Sequence, residues 1–353
     1  MEQVEHPQQR PTFDQQFSEK KELQNPAGSM KYVQIESAFP SPVEQPPLLF
    51  FPGWSITLAT EKPLLRGLSE GRPEVKDEEE KVVAKNLYGR TIVSGEFPRH
   101  GGEVSGREGI ADEIVRQAEL MSGLLLQQDV KADLVVDSMA AMGIIAAMKL
   151  NPEILDKINN LLIVSPAGIS GDDNLIRLVG RSLAHFTQDG MTFLKSPIEK
   201  RNIIRMGIEA ALYVGKNPKR TVKEINAIAQ SEQYGALKDL KSQLDEKGIM
   251  LGFMQGEDDK LTPAKKLWAK IGEDTHSVWK ELSQSEYDDE PEYAKRGIEV
   301  GNTVWDRGVQ NEKPPFDMLT LVGGGHDNRL YANSSYSTKI LSALEELNQL
   351  HDN

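Results

Sequence analysis

Three side chains that could together activate a nucleophile occur in the order serine, aspartate, histidine along this 353-residue chain. Ser138 lies in the stretch VVDSMAAMG, Asp259 in GEDDKLTP and His326 in GGGHDN. A serine hydroxyl is a weak nucleophile at neutral pH, so it needs a base within hydrogen-bonding distance, and the base needs an acid that orients it. The order predicts Ser138 as the nucleophile, Asp259 as the orienting acid and His326 as the base.

Each of these residues follows an apolar run with the length and composition of a buried strand. ADLVV precedes Ser138, GIMLGFMQ precedes Asp259 and FDMLTLV precedes His326. Such runs alternate with amphipathic helical patterns, which predicts an α/β fold with a mostly parallel central sheet flanked by helices on both faces. Ligands bind at the carboxyl ends of strands in open α/β sheets, so all three residues are expected at that edge.

The alternation of strands and helices is not continuous along the chain. Residues 1–29 are rich in Gln, Glu, Lys and Pro, which predicts a disordered N-terminal tail. Residues 30–170 and 249–353 are predicted to form the α/β core. The strand pattern disappears over residues 171–248, which predicts a helical lid inserted over one end of the sheet. A charged stretch at 272–314 is predicted to be a partly helical insertion.

Composition excludes several classes of protein. The formal net charge of -13 argues against a nucleic-acid surface, which would need clustered Lys and Arg. Because there is no cysteine, thiolate nucleophiles and Cys-ligated metals are excluded. The polar N-terminus has no secretory pattern and no run is apolar enough for a bilayer, so we expect a cytoplasmic protein without stable membrane insertion. No metal cluster, phosphate-binding loop or dinucleotide fingerprint is visible, so no cofactor is expected.

Six short motifs at predicted strand ends carry a family resemblance. They are, in order, PGWS (Pro52–Ser55), PRHGGEVSG, DSMAA, SPAGI (Ser165–Ile169), GEDDKLTP (Gly256–Pro263) and GGGHDN (Gly323–Asn328). Together they resemble the α/β-hydrolase superfamily over nearly all of residues 30–350, with no subfamily assigned. The resemblance implies the α/β-hydrolase fold with an inserted helical lid. It also implies a serine hydrolase that cleaves an ester or related acyl bond through an acyl-enzyme intermediate.

The resemblance also implies roles for individual residues. His326 would take the proton of Ser138 and later pass it to the leaving group, while Asp259 would fix the imidazole tautomer. The backbone N–H groups of Met139 and Trp54 would form the oxyanion hole. The lid would supply an apolar wall, so the expected partner is a small, partly apolar acyl substrate.

Two points stay open at this stage. The orienting acid could instead be Asp258, or Asp172 or Asp173 after an earlier strand. The G-x-S-x-G motif has glycine two residues before the serine, where this chain has Val136, a β-branched residue that is costly if its φ must be unusual.

The same stretch allows other interpretations. Ser138 could simply cap the next helix. The chain would then be a non-catalytic α/β-hydrolase-like binding or interaction protein, with the acidic stretch at 272–314 as a partner surface. Asp137 could be the nucleophile, but Val135 and Met139 would then flank it at crowded positions, which fits worse.

Overall fold

The computed structural model describes residues 10–53, 56–72, 75–76, 82–84, 86–97, 110–168, 208–209, 211–256, 259, 262, 301–304, 316–322 and 333–351. The strands in this part of the chain are β1 (Lys21–Asn25), β2 (Gly28–Ile35), β3 (Leu48–Phe51), β4 (Gly71–Arg72), β5 (Val75–Lys76), β6 (Val82–Ala84), β7 (Leu87–Tyr88), β8 (Ile92–Glu96), β9 (Ala132–Asp137), β10 (Ile158–Val164), β11 (Met250–Gly256), β12 (Gly301–Val304) and β13 (Met318–Val322).

The helices are α1 (Phe13–Ser18), α2 (Leu58–Glu70), α3 (Asp112–Leu126), α4 (Ala140–Leu150), α5 (Pro218–Gln230), α6 (Gln233–Glu246) and α7 (Asn333–His351). A short 3₁₀ helix spans Pro152–Lys157, and residues 208–209 and 211–216 are also helical. Among the described helices, none has both the length and the apolar composition needed to cross a bilayer.

Nine of the described strands form one central sheet, in the order β1-β2-β8-β3-β9-β10-β11-β13-β12. The six neighbours from β8 to β13 run parallel, whereas β1, β2 and β12 pair antiparallel at the two sides. Every residue of β3 and of β9 is buried, because helices cover both faces of the sheet. The predicted fold class, a mostly parallel sheet flanked by helices, is confirmed.

Successive side chains of each central strand enter two different cores. On β9, Val136 packs in the cluster that includes α3, α4 and α6, while Val135 packs in the cluster that includes α2 and α7. On β3, Phe51 and Phe50 divide in the same way. This alternation has the period of two that a strand imposes, so a continuous apolar run fills both faces of the sheet.

A buried ion pair fixes the amino end of β9. Arg90 Nη2 lies 2.5 Å from Asp133 Oδ2, and both side chains are almost fully buried. Asp133 Oδ1 also accepts a hydrogen bond from Asn160 Nδ2 at 2.9 Å, and Arg90 Nε donates to the Pro46 carbonyl oxygen at 3.0 Å. Buried charges are tolerated when they are paired and hydrogen-bonded in this way. The pair and its hydrogen bonds thus join the amino ends of β3, β9 and β10. The opposite ends of these strands carry the candidate site.

The N-terminal segment departs from the sequence-based prediction. α1 begins with a capping box at Thr12, and its Phe17 is buried in the core. Asp14 forms ion pairs with side chains of α2, including Arg66 at 2.9 Å, and β1 pairs with β2. The prediction of a disordered tail over residues 1–29 is therefore wrong from Phe13 onward. The composition did not reveal the capping box at Thr12 or the burial of Phe17. Both contribute favourable free energy that offsets the entropy lost when the segment becomes ordered.

The predicted boundary of the lid is also wrong at its C-terminal end. Tyr234, Leu237, Leu240 and Leu244 of α6 are buried in the core beside α4. α6 therefore belongs to the helical layer that connects β10 to the parallel strand β11, as a parallel connection requires. Helical periodicity cannot distinguish such a crossover helix from a lid helix. We name residues 208–230, which include α5 and precede α6, the cap hairpin.

Candidate active site

Ser138 occupies a sharp turn between a strand and a helix at the carboxyl edge of the sheet. β9 ends at Asp137 and α4 begins at Ala140, so Ser138 and Met139 make the whole connection. Ser138 has a φ of 50°, in the left-handed region that costs a non-glycine residue roughly 1–2 kcal/mol. Met139 returns to the right-handed helical region and is the N-cap of α4. The interpretation of Ser138 as the N-cap is therefore wrong.

The neighbouring strand holds this turn in place through backbone hydrogen bonds. The Ser138 N–H donates to the Val164 carbonyl oxygen at 2.8 Å. The Ser138 carbonyl oxygen accepts from the N–H of Ala141 and from that of Ala167, both at 3.2 Å. Two of these three bonds join the turn to the end of β10, so the strained residue is fixed by the sheet as well as by its own helix.

Val136, the residue that departs from the G-x-S-x-G pattern, fits this turn. It lies within β9, in register with Phe51 on one side and Ile163 on the other, and its side chain is buried in the core. Among the described residues, the non-glycine residues with positive φ are Ser138 and Ser165. Val136 therefore has ordinary strand geometry, and the left-handed conformation falls on Ser138.

A glycine that sequence analysis did not single out lies directly against Ser138. A Cβ atom on Gly53 would be 2.6 Å from Asp137 Oδ2 and 3.0 Å from Ser138 Cβ. The loop after β3 can therefore pass this close to the turn only with glycine at this position. The signal in the sequence was the Pro-Gly pair after the apolar run. Trp54, the predicted oxyanion donor, comes next in the chain and lies outside the described residues.

Asp137 is the last residue of β9 and is buried. It has the extended conformation of a strand residue, whereas Ser138, itself only 6% exposed, forms the left-handed tip of the turn. This geometry favours Ser138 over Asp137 as the residue presented to a ligand.

Asp259 is a buried carboxylate three residues after the end of β11, with its side chain 3% exposed. Its Oδ1 accepts from the Thr262 N–H at 2.8 Å, and its Oδ2 accepts from Thr262 Oγ1 at 2.5 Å and from Gln255 Nε2 at 3.1 Å. Hydrogen bonds of this number and length hold the carboxylate in one orientation. Thr262 Oγ1 also lies 3.5 Å from the Ser165 carbonyl oxygen, which links this loop to the end of β10.

The structure places the predicted nucleophile and the predicted orienting acid at one edge of the sheet. Ser138 follows β9 and Asp259 follows β11, with β10 between these strands. β13 lies beside β11 and ends at Val322, four residues before His326. His326 itself lies outside the described residues, as do the alternative acids Asp258, Asp172 and Asp173.

Comparison with known proteins assigns the fold. No protein-family profile and no curated protein matches the sequence. Solved structures do match over almost the whole chain. A bacterial membrane phospholipase A has a TM-score of 0.52 and 13% identity, covering 93% of this chain and 86% of its own. A bromoperoxidase from Bacillus anthracis has the same TM-score and identity, covering 92% and 100%.

An epoxide hydrolase from Vigna radiata matches with a TM-score of 0.50 and 12% identity, covering 93% of this chain and 98% of its own. These structures share one architecture in spite of their different activities. The chain has the fold of the α/β-hydrolase superfamily, as the six motifs implied. At this level of identity the likeness is one of fold, so the reaction must be argued from the site.

Proposed function

We propose that this protein is a serine hydrolase that cleaves an ester or a related acyl bond, with Ser138 as the nucleophile. The observation that carries the proposal is the left-handed φ of 50° at Ser138, between β9 and α4. Backbone strain of this kind persists where the surrounding structure imposes it, and it concentrates at active sites. A turn with that conformation presents the serine hydroxyl at the edge where ligands bind in α/β sheets.

The proposed mechanism uses one residue from each of three strand ends. His326 takes the Ser138 proton as the hydroxyl oxygen attacks the acyl carbon, and then donates it to the leaving group. Asp259, whose orientation Thr262 and Gln255 maintain, accepts the other imidazole N–H and stabilises the imidazolium. Water then attacks the acyl-enzyme by the same route, which releases the acid and regenerates Ser138.

The oxyanion that forms in each step needs backbone donors. Met139 follows the nucleophile at the N-terminus of α4, where the helix dipole favours negative charge. We assign its N–H as one donor and the N–H of Trp54 as the other. Gly53, immediately before Trp54, supports this assignment, because its close approach to Ser138 brings that loop to the reacting atoms. Each such donor typically lowers the barrier by about 2.7–4 kcal/mol.

The non-catalytic alternative depended on Val136. That residue lies within a regular strand, which supports the hydrolase over the alternative. The acidic stretch at 272–314, the other basis of the alternative, lies outside the described residues except for 301–304. The partly apolar acyl substrate and the cytoplasmic location remain predictions from the sequence.

The test is intact-mass spectrometry after incubation with a fluorophosphonate, which labels activated serines. The wild type should gain one adduct, and Ser138→Ala should gain none. Ser165→Ala is the matched control, because Ser165 is also buried and left-handed at a strand end; it should still be labelled. A folded wild type without an adduct, or a Ser138→Ala variant that retains it, contradicts the proposal. A panel of nitrophenyl esters of increasing acyl length would then define the substrate.

A further inference from the structure

The cap hairpin carries a concentration of exposed apolar side chains. Eight large apolar residues are exposed in the described part of the chain, and four of them lie between residues 208 and 222. They are Ile208, Leu212, Val214 and Val222, with exposures of 53%, 48%, 40% and 55%. Single exposed apolar residues are common, but half of those exposed in the described part of the chain fall within these fifteen residues. Exposed apolar side chains concentrated in this way indicate a candidate binding surface, and we call these four side chains the patch.

The two acidic residues of the cap hairpin face other side chains of the protein. Glu209 Oε2 accepts hydrogen bonds from Thr57 Oγ1 at 2.8 Å and from Thr60 Oγ1 at 3.3 Å. Glu224 is 2% exposed and accepts from the Tyr213 hydroxyl at 2.7 Å. Arg220 Nε donates to Glu224 as well, at 2.9 Å. Both carboxylates are therefore used to hold the hairpin together and to attach it to α2.

The exposed charges of the same segment are all positive. Lys216, Lys219 and Lys223 are exposed, and Lys223 Nζ lies 3.9 Å from Asp112 Oδ2 at the start of α3. The protein as a whole has a formal net charge of -13. The cap hairpin is thus a basic and apolar surface on an acidic protein. An anionic surface would attract the cap hairpin and repel the rest of the chain.

We propose that the cap hairpin docks on an anionic lipid surface. Lysines alone would bind any anionic partner. The aliphatic side chains of the same segment, however, contribute favourable free energy only when they are removed from water. Helices that combine lysines with aliphatic residues lie in the interface of a bilayer, with the apolar side chains below the headgroups. This proposal goes beyond the proposed function, because it does not require Ser138 to be a nucleophile.

The test is flotation of the full chain with two kinds of vesicle. One contains phosphatidylcholine only, and the other contains phosphatidylcholine and phosphatidylglycerol in equal parts. The wild type should float with the anionic vesicles and stay behind with the neutral ones. Each lysine that reaches an anionic surface strengthens binding roughly fivefold, so Lys216→Gln/Lys219→Gln should weaken it by about 25-fold. Leu212→Asn/Val222→Asn should also weaken it, because both side chains lose their apolar burial.

Matched controls separate the patch from the charge of the whole protein. Lys31→Gln/Lys131→Gln changes the net charge equally at exposed lysines elsewhere, and Val43→Asn/Val130→Asn removes two exposed apolar side chains elsewhere. Both controls should bind like the wild type. Fluorophosphonate labelling of each variant is a separate readout, so a failure of lipid binding and a failure of the proposed hydrolase are distinguishable.

Three results would overturn the proposal. The first is that the folded wild type, checked by circular dichroism, floats with neither vesicle. The second is that the control variants lose as much binding as the patch variants. The third is that the wild type self-associates without lipid and that Leu212→Asn/Val222→Asn makes it monomeric, since the patch would then be covered by a second copy.

Discussion

Ser138 and Ser165 end two neighbouring parallel strands in the same left-handed backbone conformation, with φ of 50° and 43°. Each donates its N–H to the strand that follows in the sheet, Ser138 to the Val164 carbonyl oxygen and Ser165 to the Met254 carbonyl oxygen, both at 2.8 Å. The repeated bond joins the ends of β9, β10 and β11 along one edge of the sheet. Only the first of the two serines leads directly into a helix, which distinguishes the candidate nucleophile from its neighbour.

The strain at Ser138 predicts a difference between two inactive variants. Ser138→Ala keeps a side chain in the left-handed region, whereas Ser138→Gly relieves the strain at some cost in chain entropy. We expect the glycine variant to have a free energy of unfolding about 1 kcal/mol higher than the alanine variant, with both unable to react with a fluorophosphonate. Urea denaturation measures the first quantity and intact mass the second.

The same pair of substitutions at Ser165 is the control for that comparison. Ser165→Gly should again exceed Ser165→Ala in stability by about 1 kcal/mol, for the same backbone reason. Both Ser165 variants should keep their reactivity. Equal stability of the glycine and alanine variants at position 138 would mean that the turn is not strained there.

Gly53 is expected to be intolerant of even a methyl group. In Gly53→Ala the new Cβ would lie 2.6 Å from Asp137 Oδ2, so the loop must move away from Ser138. We expect the free energy of unfolding to fall by about 1–3 kcal/mol and the rate of ester hydrolysis to fall at least about 100-fold. Gly215→Ala, where nothing lies within 4 Å of the added Cβ, should leave the rate unchanged and should not lower the free energy of unfolding, because alanine is favoured over glycine in a helix. Full activity in Gly53→Ala would exclude this loop from the oxyanion hole.

Conservative substitutions can distinguish the role of Asp259 from that of Asp258. Asp259→Asn removes the charge that orients the base, so kcat should fall by about 10⁴. Thr262→Val removes one hydrogen bond to the carboxylate and should cost only about tenfold. Asp258→Asn should react like the wild type. The reverse result, with Asp258→Asn inactive and Asp259→Asn active, would assign the role to Asp258 and leave Asp259 as a structural residue of its loop.

The buried tyrosine of the cap hairpin predicts a dependence of stability on alkaline pH. Burial, and then the charge of Glu224, raise the pKa of Tyr213 well above its usual range. The folded state therefore keeps the proton when the unfolded state loses it, so the contribution of Tyr213 to stability is constant below about pH 10 and falls above it. Unfolding measured between about pH 8 and pH 11 should show this fall in the wild type.

Tyr213→Phe should abolish that pH dependence and lower the free energy of unfolding at neutral pH by about 1–3 kcal/mol, because Glu224 loses a hydrogen bond. Tyr88→Phe, at a half-buried tyrosine elsewhere, tests whether any tyrosine would have this effect. An unchanged alkaline transition in Tyr213→Phe would contradict the assignment.

Much of the fold was predictable because its signals are local. The apolar runs that became β3, β9, β10, β11 and β13 have the continuous character of strands covered on both faces, and the helical patterns after them became α2, α4 and α7. The polar residues that follow the apolar runs likewise indicated the edge at which the candidate site lies.

Several features could not be read from local pattern. The helical periodicity of α6 is that of any amphipathic helix, and only its burial against the sheet shows that it belongs to the core. The N-terminal segment has the composition of a disordered tail, yet Phe17 finds a pocket made by distant residues. These outcomes depend on contacts between residues far apart in the chain, which composition does not encode.

The sequence by itself determined which residue types could form the site and the order in which they occur along the chain. The tertiary structure alone decided that Val136 lies in a regular strand and that the left-handed residue is Ser138. It also decided that Gly53 must be a glycine, because the loop after β3 meets the turn after β9. Both are consequences of which strands become neighbours, and that pairing is set by the packing of the whole sheet.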